Sequence, residues 1–131
     1  MKNITRMFTI EEANALVPEL ENILCRLMEK KEKHERLHDD LFMHELLANA
    51  VKDTLPELDQ QAKDLDEAVA NLRIETDRIR QLGCILRSVE RGWVDFPSQR
   101  EGKQIYFCWK KGEKAVQYYH FESNLTERLP L

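Results

Sequence analysis

Between Pro18 and Pro56 the chain runs for 37 residues without a single Gly or Pro. A stretch of that length has no local signal to turn, so it reads as helix. Leu20, Ile23, Leu27, Leu37 and Leu41 keep a 3,4 spacing along it, the narrow apolar seam of a coiled-coil-like pair. At about 1.5 Å per residue such a rod approaches roughly 50 Å. Upstream, Thr9 with Glu12 three residues on forms a capping box, so the first turn starts at Ile10. Pro18 lacks an amide proton and crowds the preceding turn, and the expectation is a short helix followed by a long one. A second Thr-to-Glu pair, Thr54 and Glu57 with Pro56 inside it, starts the partner helix. There Leu58, Leu65, Leu72 and Ile79 repeat every seven residues, with Ala62 and Val69 between them. Gly83 is placed to end it as a left-handed cap. The short link makes the two helices antiparallel neighbours.

All four glycines lie at or after Gly83, and eight of the ten aromatic residues fall between Trp93 and Phe121. In that segment β-branched and aromatic residues alternate with polar ones. Trp93–Phe96, Gln104–Trp109 and Val116–Phe121 read as three strands turning at Gly102 and Gly112, while the short apolar run 84–89 reads equally as strand or as a turn of helix. The expected fold is α+β. It is a single domain, residues 1–131, in which a long antiparallel helical hairpin arm over 9–83 precedes a small three-stranded antiparallel sheet over 84–131.

A net charge of −4 on 131 residues argues against a dedicated nucleic-acid binder or an anionic membrane surface as partner. No run approaches the roughly 18 apolar residues of a spanning helix, and the first dozen residues hold no apolar leader core. Cys25, Cys84 and Cys108 are odd in number and lack a CxxC pair. Free thiols in a reducing cytoplasm fit better than a disulfide framework. Charge is uneven, −6 over residues 1–83 and +2 over 84–131, so the acidic helices suit the basic tail of their own or another copy. A two-helix arm has one seam and much open surface, too little burial to offset backbone ordering of about 1–2 kcal/mol per residue unless something packs on it. Self-association into a homo-oligomer through the arm is the expected remedy, with another protein partner as the alternative.

Two groups of residues could carry chemistry. His34-Glu35-Arg36-Leu37-His38 matches the H-E-x-x-H zinc pattern, in which two histidines at i and i+4 face one metal and the glutamate acts as base. A zincin needs a third ligand and a cleft above a buried motif helix, whereas this string lies in a highly charged helix, which argues for adventitious chelation instead, and His34 falls in the heptad row of Leu20, Leu27 and Leu41, where a polar residue more often sets register. The tail brings Asp95, Cys108, Glu113, His120 and Arg128 within some thirty residues. Cys, Asp, Glu and His there could form a mixed-ligand site for a divalent metal or an acid/base pair. The plainer reading makes Cys108 a small buried residue, Glu113 a turn residue and His120 a satisfied strand histidine. Whether Cys108 and His120 meet depends on hairpin register.

Four blocks together resemble the bacterial family known as domain of unknown function 2203: Phe8-Thr9-Ile10-Glu11-Glu12-Ala13-Asn14-Ala15-Leu16-Val17-Pro18, Arg91-Gly92-Trp93-Val94-Asp95-Phe96-Pro97, Tyr106-Phe107-Cys108-Trp109 through Gly112-Glu113, and Arg128-Leu129-Pro130-Leu131. The resemblance covers nearly the whole chain and implies a bacterial source, with no activity attached. The family pattern falls on Asp95, Cys108, Trp109, Glu113, His120 and Arg128, and leaves the H-E-x-x-H string in a variable helical region. This chain departs from it at Tyr119, where the family usually has Trp, and at Asn124–Glu127, where it has a Gly-Phe step. Two functions are therefore expected as alternatives. One is a non-enzymatic interaction module working through the arm; the other is a metal- or small-ligand-binding protein, or an enzyme, with Asp95, Cys108, Glu113 and His120 as ligands or acid/base groups and Arg128 as an anion clamp.

Overall fold

The computed structural model describes residues 6–131, leaving the first five residues of the segment inspected for a leader outside the described part. Two helices, α1 (Ile10–Val51) and α2 (Glu57–Gln81), precede a five-stranded antiparallel meander, β1 (Ile85–Ser88), β2 (Trp93–Arg100), β3 (Lys103–Lys110), β4 (Tyr118–Phe121) and β5 (Leu129–Pro130). The class is α+β as expected, but the sheet has five strands, not three. β1 is an apolar run too short for periodicity to separate strand from helix, and β5 is two residues, one of them a proline. Both are held by pairing, Ile85 with Asp95 and Tyr119 with Leu129. Val116 lies before β4; it is buried, and its N–H donates to Asn14 Oδ1 at 2.7 Å. Among the described residues no helix is long and apolar enough to cross a membrane.

The Thr9–Glu12 box is formed, Glu12 N–H donating to Thr9 Oγ1 and Thr9 N–H to the Glu12 carboxylate. Pro18 does not divide the helix, which runs unbroken for 42 residues, about 63 Å at 1.5 Å per residue. Ala13 and Val17 before the proline and Leu20, Ile23 and Leu24 after it all enter one core, so shared burial outweighs the single lost amide bond. The second capping box is absent. α2 starts at Glu57 with Pro56 as its cap and no side-chain bond, because Leu55 and Pro56 already form the entry turn, Leu58 N–H donating to Leu55 O. At the far end Gly83 takes φ +89°, and Cys84 N–H donates to Ile79 O while Gly83 N–H donates to Arg80 O. This is the paired closure of a Schellman cap.

The helices pack antiparallel, as Arg26 and Lys30 meeting Glu75 near one end and His44 meeting Gln61 near the other require. On α2 the seam departs from the heptad reading: Ala62 and Val69 are exposed, while Ala68 and Glu75 are buried. Glu75 is carried inward because two cations hold it, Lys30 Nζ at 2.8 Å and Arg26 Nε at 3.0 Å. Burial works to raise its carboxyl, but the bonds from Lys30 and Arg26 outweigh it and leave the group below the ordinary glutamate value. The sign follows. This contribution to stability is complete above the unfolded-state pKa and is lost as pH falls through the lower folded-state value. In urea unfolding from pH 7 down to about pH 3, Glu75→Gln is expected to lose less stability on acidification than the parent chain; parallel curves would overturn this role.

The core lies between the first half of α1, the end of α2 and one face of the sheet, with Phe96, Ile105, Phe107 and Trp109 on the strands facing Leu20, Ile23, Leu24 and Ile79 on the helices. Phe8 closes it. Its N–H donates to Pro97 O at 2.8 Å, and Ser98 Oγ donates to Phe8 O at 2.6 Å. Beyond Leu27 the hairpin extends away from this core, and the largest exposed apolar side chains on α1 cluster there: Phe42, Met43, Leu46, Leu47 and Val51.

Candidate functional site

Side chains alternate across a strand, and the register settles which tail residues share a face. Asp95 pairs with Cys108, Cys108 with Tyr118, and Tyr106 with His120. Asp95, Tyr106, Cys108, Tyr118 and His120 therefore all stand on the face turned away from the helices. Asp95 and His120 reach across β3 to meet, with His120 Nε2 donating to Asp95 Oδ2 at 2.6 Å. Arg87 Nε donates to the same oxygen at 2.8 Å, and Trp93 Nε1 to Oδ1 at 2.7 Å. Three donors converge on one fully buried carboxylate and compensate for its burial. His120 Nδ1 lies 3.1 Å from Phe121 O. The Tyr106 ring stacks on the imidazole at 5.3 Å and the Trp93 ring meets it edge-on at 6.1 Å.

Glu113 and Arg128 form the second half of the cluster. The Glu113 carboxylate accepts from Lys110 N–H at 2.7 Å and from Arg128 Nη2 at 2.7 Å, and its carbonyl accepts from Trp109 Nε1 at 2.9 Å. Arg128 Nη2 also lies 3.4 Å from Cys108 O, which links the two halves through the β3 backbone. Its Nε is buried without a hydrogen-bond partner among the described residues. Burial opposes the Arg128 charge, but the Glu113 carboxylate more than offsets it and raises the guanidinium above its usual value. Cationic side chains lie over the aromatic rings of this face: Arg87 over Tyr106, Lys110 over Trp93 and Arg128 over Tyr118.

All five tail residues thus fall in one network, yet its interior is closed. Asp95, Cys108 and His120 have no exposed surface, and five clefts among the described residues are lined by other side chains. Burial raises the Cys108 thiol, which disfavours its thiolate form, and among the described residues it has no hydrogen bond to His120. The arrangement can tie four strands and a turn together through charge. Among the described residues no three His, Cys, Asp or Glu side chains are grouped to hold a metal ion. His34 and His38 do face the same side of α1, their rings stacked at 6.2 Å, but Glu35 is engaged by Lys31.

Residues 6–131 match the family described as uncharacterized conserved protein (DUF2203). The chain belongs to DUF2203. No curated protein and no solved structure matches it. In this DUF2203 protein Arg87, Trp93 and Tyr106 belong to the network although tail residue types alone did not single them out. Trp93 was within reach, since it stands two residues before Asp95 on the same strand face. Arg87 was not, because its segment had no settled secondary structure until β1 paired with β2.

Proposed function

We propose that this DUF2203 protein is a non-enzymatic interaction module of the bacterial cytoplasm, with the helical arm self-associating and the sheet forming its rigid base. One observation carries the reading. Phe42, Met43 and Val51, at 54%, 60% and 56% exposed, continue with Leu46 and Leu47 as a contiguous apolar stripe on the part of α1 that leaves the core. Isolated exposed apolar residues need no explanation, whereas five along one helix end mark a surface that gains by being covered. The closed interior of the sheet network favours the same reading over a ligand site, since a substrate or metal would have to displace Trp93, Tyr106 or the arginines to reach Asp95 or His120.

Sedimentation equilibrium tests it. The DUF2203 chain is expected at twice its 15.5 kDa mass at micromolar concentration, and Phe42→Asp with Leu46→Asp is expected to sediment as a monomer with unchanged helical circular dichroism. A parent chain that stays monomeric up to about 100 µM, a binding free energy weaker than roughly 5.5 kcal/mol, overturns the proposal.

A further inference from the structure

We infer that two copies pair through α1 in antiparallel fashion, each distal stripe covering a cleft at the base of the partner's arm, with the two-fold axis beside His38 and Asp39. The inference rests on the self-association reading and specifies which surface meets which.

Two adjoining clefts lie where the hairpin leaves the sheet. One, of about 390 Å³, is walled by Leu27, His34, Leu72 and Val89, with Lys31 and Glu35 at its edge. Its neighbour, of about 260 Å³, adds Met28 and Glu90. The first is an apolar recess formed by α1, α2 and the β1–β2 turn. His34, the one polar residue in the Leu20–Leu41 row, forms part of its wall, which gives the H-E-x-x-H segment a place in the fold that needs no metal.

Helix periodicity puts Phe42 and Leu46, one edge of the stripe, on the cleft side of α1. Met28, Glu35 and Phe42 are seven residues apart and Leu46 follows four later, so a surface running from the cleft to the arm tip is shared by all four. Turning a second α1 end for end about a point between residues 38 and 39 sets Phe42 of one copy against Glu35 of the other and Leu46 against Lys31. A two-fold repeats these contacts and closes the assembly.

Charge selects this direction. Residues 26–37 carry five Lys and Arg against three Asp and Glu, a net +2, while residues 38–51 carry three acids and no Lys or Arg, a net −3. Antiparallel pairing places each segment opposite its complement. Parallel pairing stacks the acidic tips on each other, and like charges across an interface are unfavourable. The larger distribution agrees: residues 38–67 carry nine acids against two lysines, −7, which leaves +3 on the remainder of a chain of net −4.

Spin labels read the arrangement directly. Cys25 is exposed and is replaced by Ser, whereas Cys84 and Cys108 are buried, so a single cysteine introduced as Asp39→Cys or Asn49→Cys is the labelled site. In the full-length dimer the Asp39 labels are expected within about 20 Å of each other. The Asn49 labels are expected roughly 30–40 Å apart, since residue 49 then lies opposite residue 28, and 21 residues of helix span about 32 Å. Both pairs within about 20 Å would show a parallel dimer, and both beyond about 40 Å an interface elsewhere. Either result overturns this arrangement while leaving self-association standing, whereas a monomeric mass removes both. Val89→Asp, in the cleft wall, is expected to weaken dimerisation at least tenfold with unchanged circular dichroism; an unaltered dissociation constant overturns the cleft as the partner's seat.

Discussion

Asp95→Ala is expected to destabilise the protein by about 3–5 kcal/mol, the cost of removing one partner from a buried charge network and leaving the others unpaired. Arg87 Nε, His120 Nε2 and Trp93 Nε1 all donate to this carboxylate. For a chain of this length the loss corresponds to a fall in Tm on the order of 10 °C, measurable by differential scanning calorimetry. Asp95→Asn keeps two acceptor lone pairs but no charge, and is expected to fall between the two. Replacing Arg87, Asp95 and His120 together by Met, Leu and Phe should recover much of the loss, because an apolar set of similar volume removes the desolvation cost along with the pairing. An Asp95→Ala variant within about 1 kcal/mol of the parent would show that the network does not hold the sheet together, and would return attention to Asp95 and His120 as reactive groups.

Trp109→Ala is expected to cost a similar amount, about 3–5 kcal/mol, for a different reason. Trp109 is fully buried on the helix side of β3, and its Nε1 donates to Glu113 O. Truncation opens a cavity in the core cluster, next to Val94 on β2, and also frees the turn that positions Glu113 beside Arg128. Trp109→Phe retains most of the packing and loses the hydrogen bond, so a smaller deficit, near 1–2 kcal/mol, is expected. Midpoints of urea unfolding measure both. A Trp109→Ala loss below about 1 kcal/mol would mean that the core collapses around the vacancy. Asp95 and Trp109 sit on neighbouring strands, one step apart in register with opposite faces. Their combined variant is therefore expected to be non-additive.

Helix initiation at Thr9, termination at Gly83, the hairpin and the division between helical arm and aromatic-rich sheet were all legible from residue order. Each rests on interactions spanning a few residues: a side-chain oxygen reaching an amide three positions on, a glycine free to take positive φ, a seam repeating with the helix. At Pro18 and Glu75, where such local rules failed, a distant contact had outweighed them. Pro18 is tolerated because apolar residues on both sides of it enter one core, and Glu75 goes inside because Arg26 and Lys30 arrive from the other helix.

The candidate cluster shows the same boundary. Residue type and family resemblance picked out Asp95, Cys108, Glu113, His120 and Arg128, and strand alternation by itself puts Tyr106 and Cys108, two residues apart, on one face. Whether Asp95 and His120 touch was beyond reach, because a one-residue slip in the β3–β4 register would turn His120 to the opposite face. By itself, then, the sequence determined the helical hairpin, its caps at Thr9 and Gly83, and the three central strands with the chemistry available on them, since these depend on neighbours along the chain; the continuity of α1 through Pro18, the uncapped start of α2 and strands β1 and β5 did not follow from it. Only the tertiary structure decided that the acid and the histidine close on each other away from solvent, and that the apolar end of α1 is left uncovered, because both depend on which strands and helices come to lie side by side.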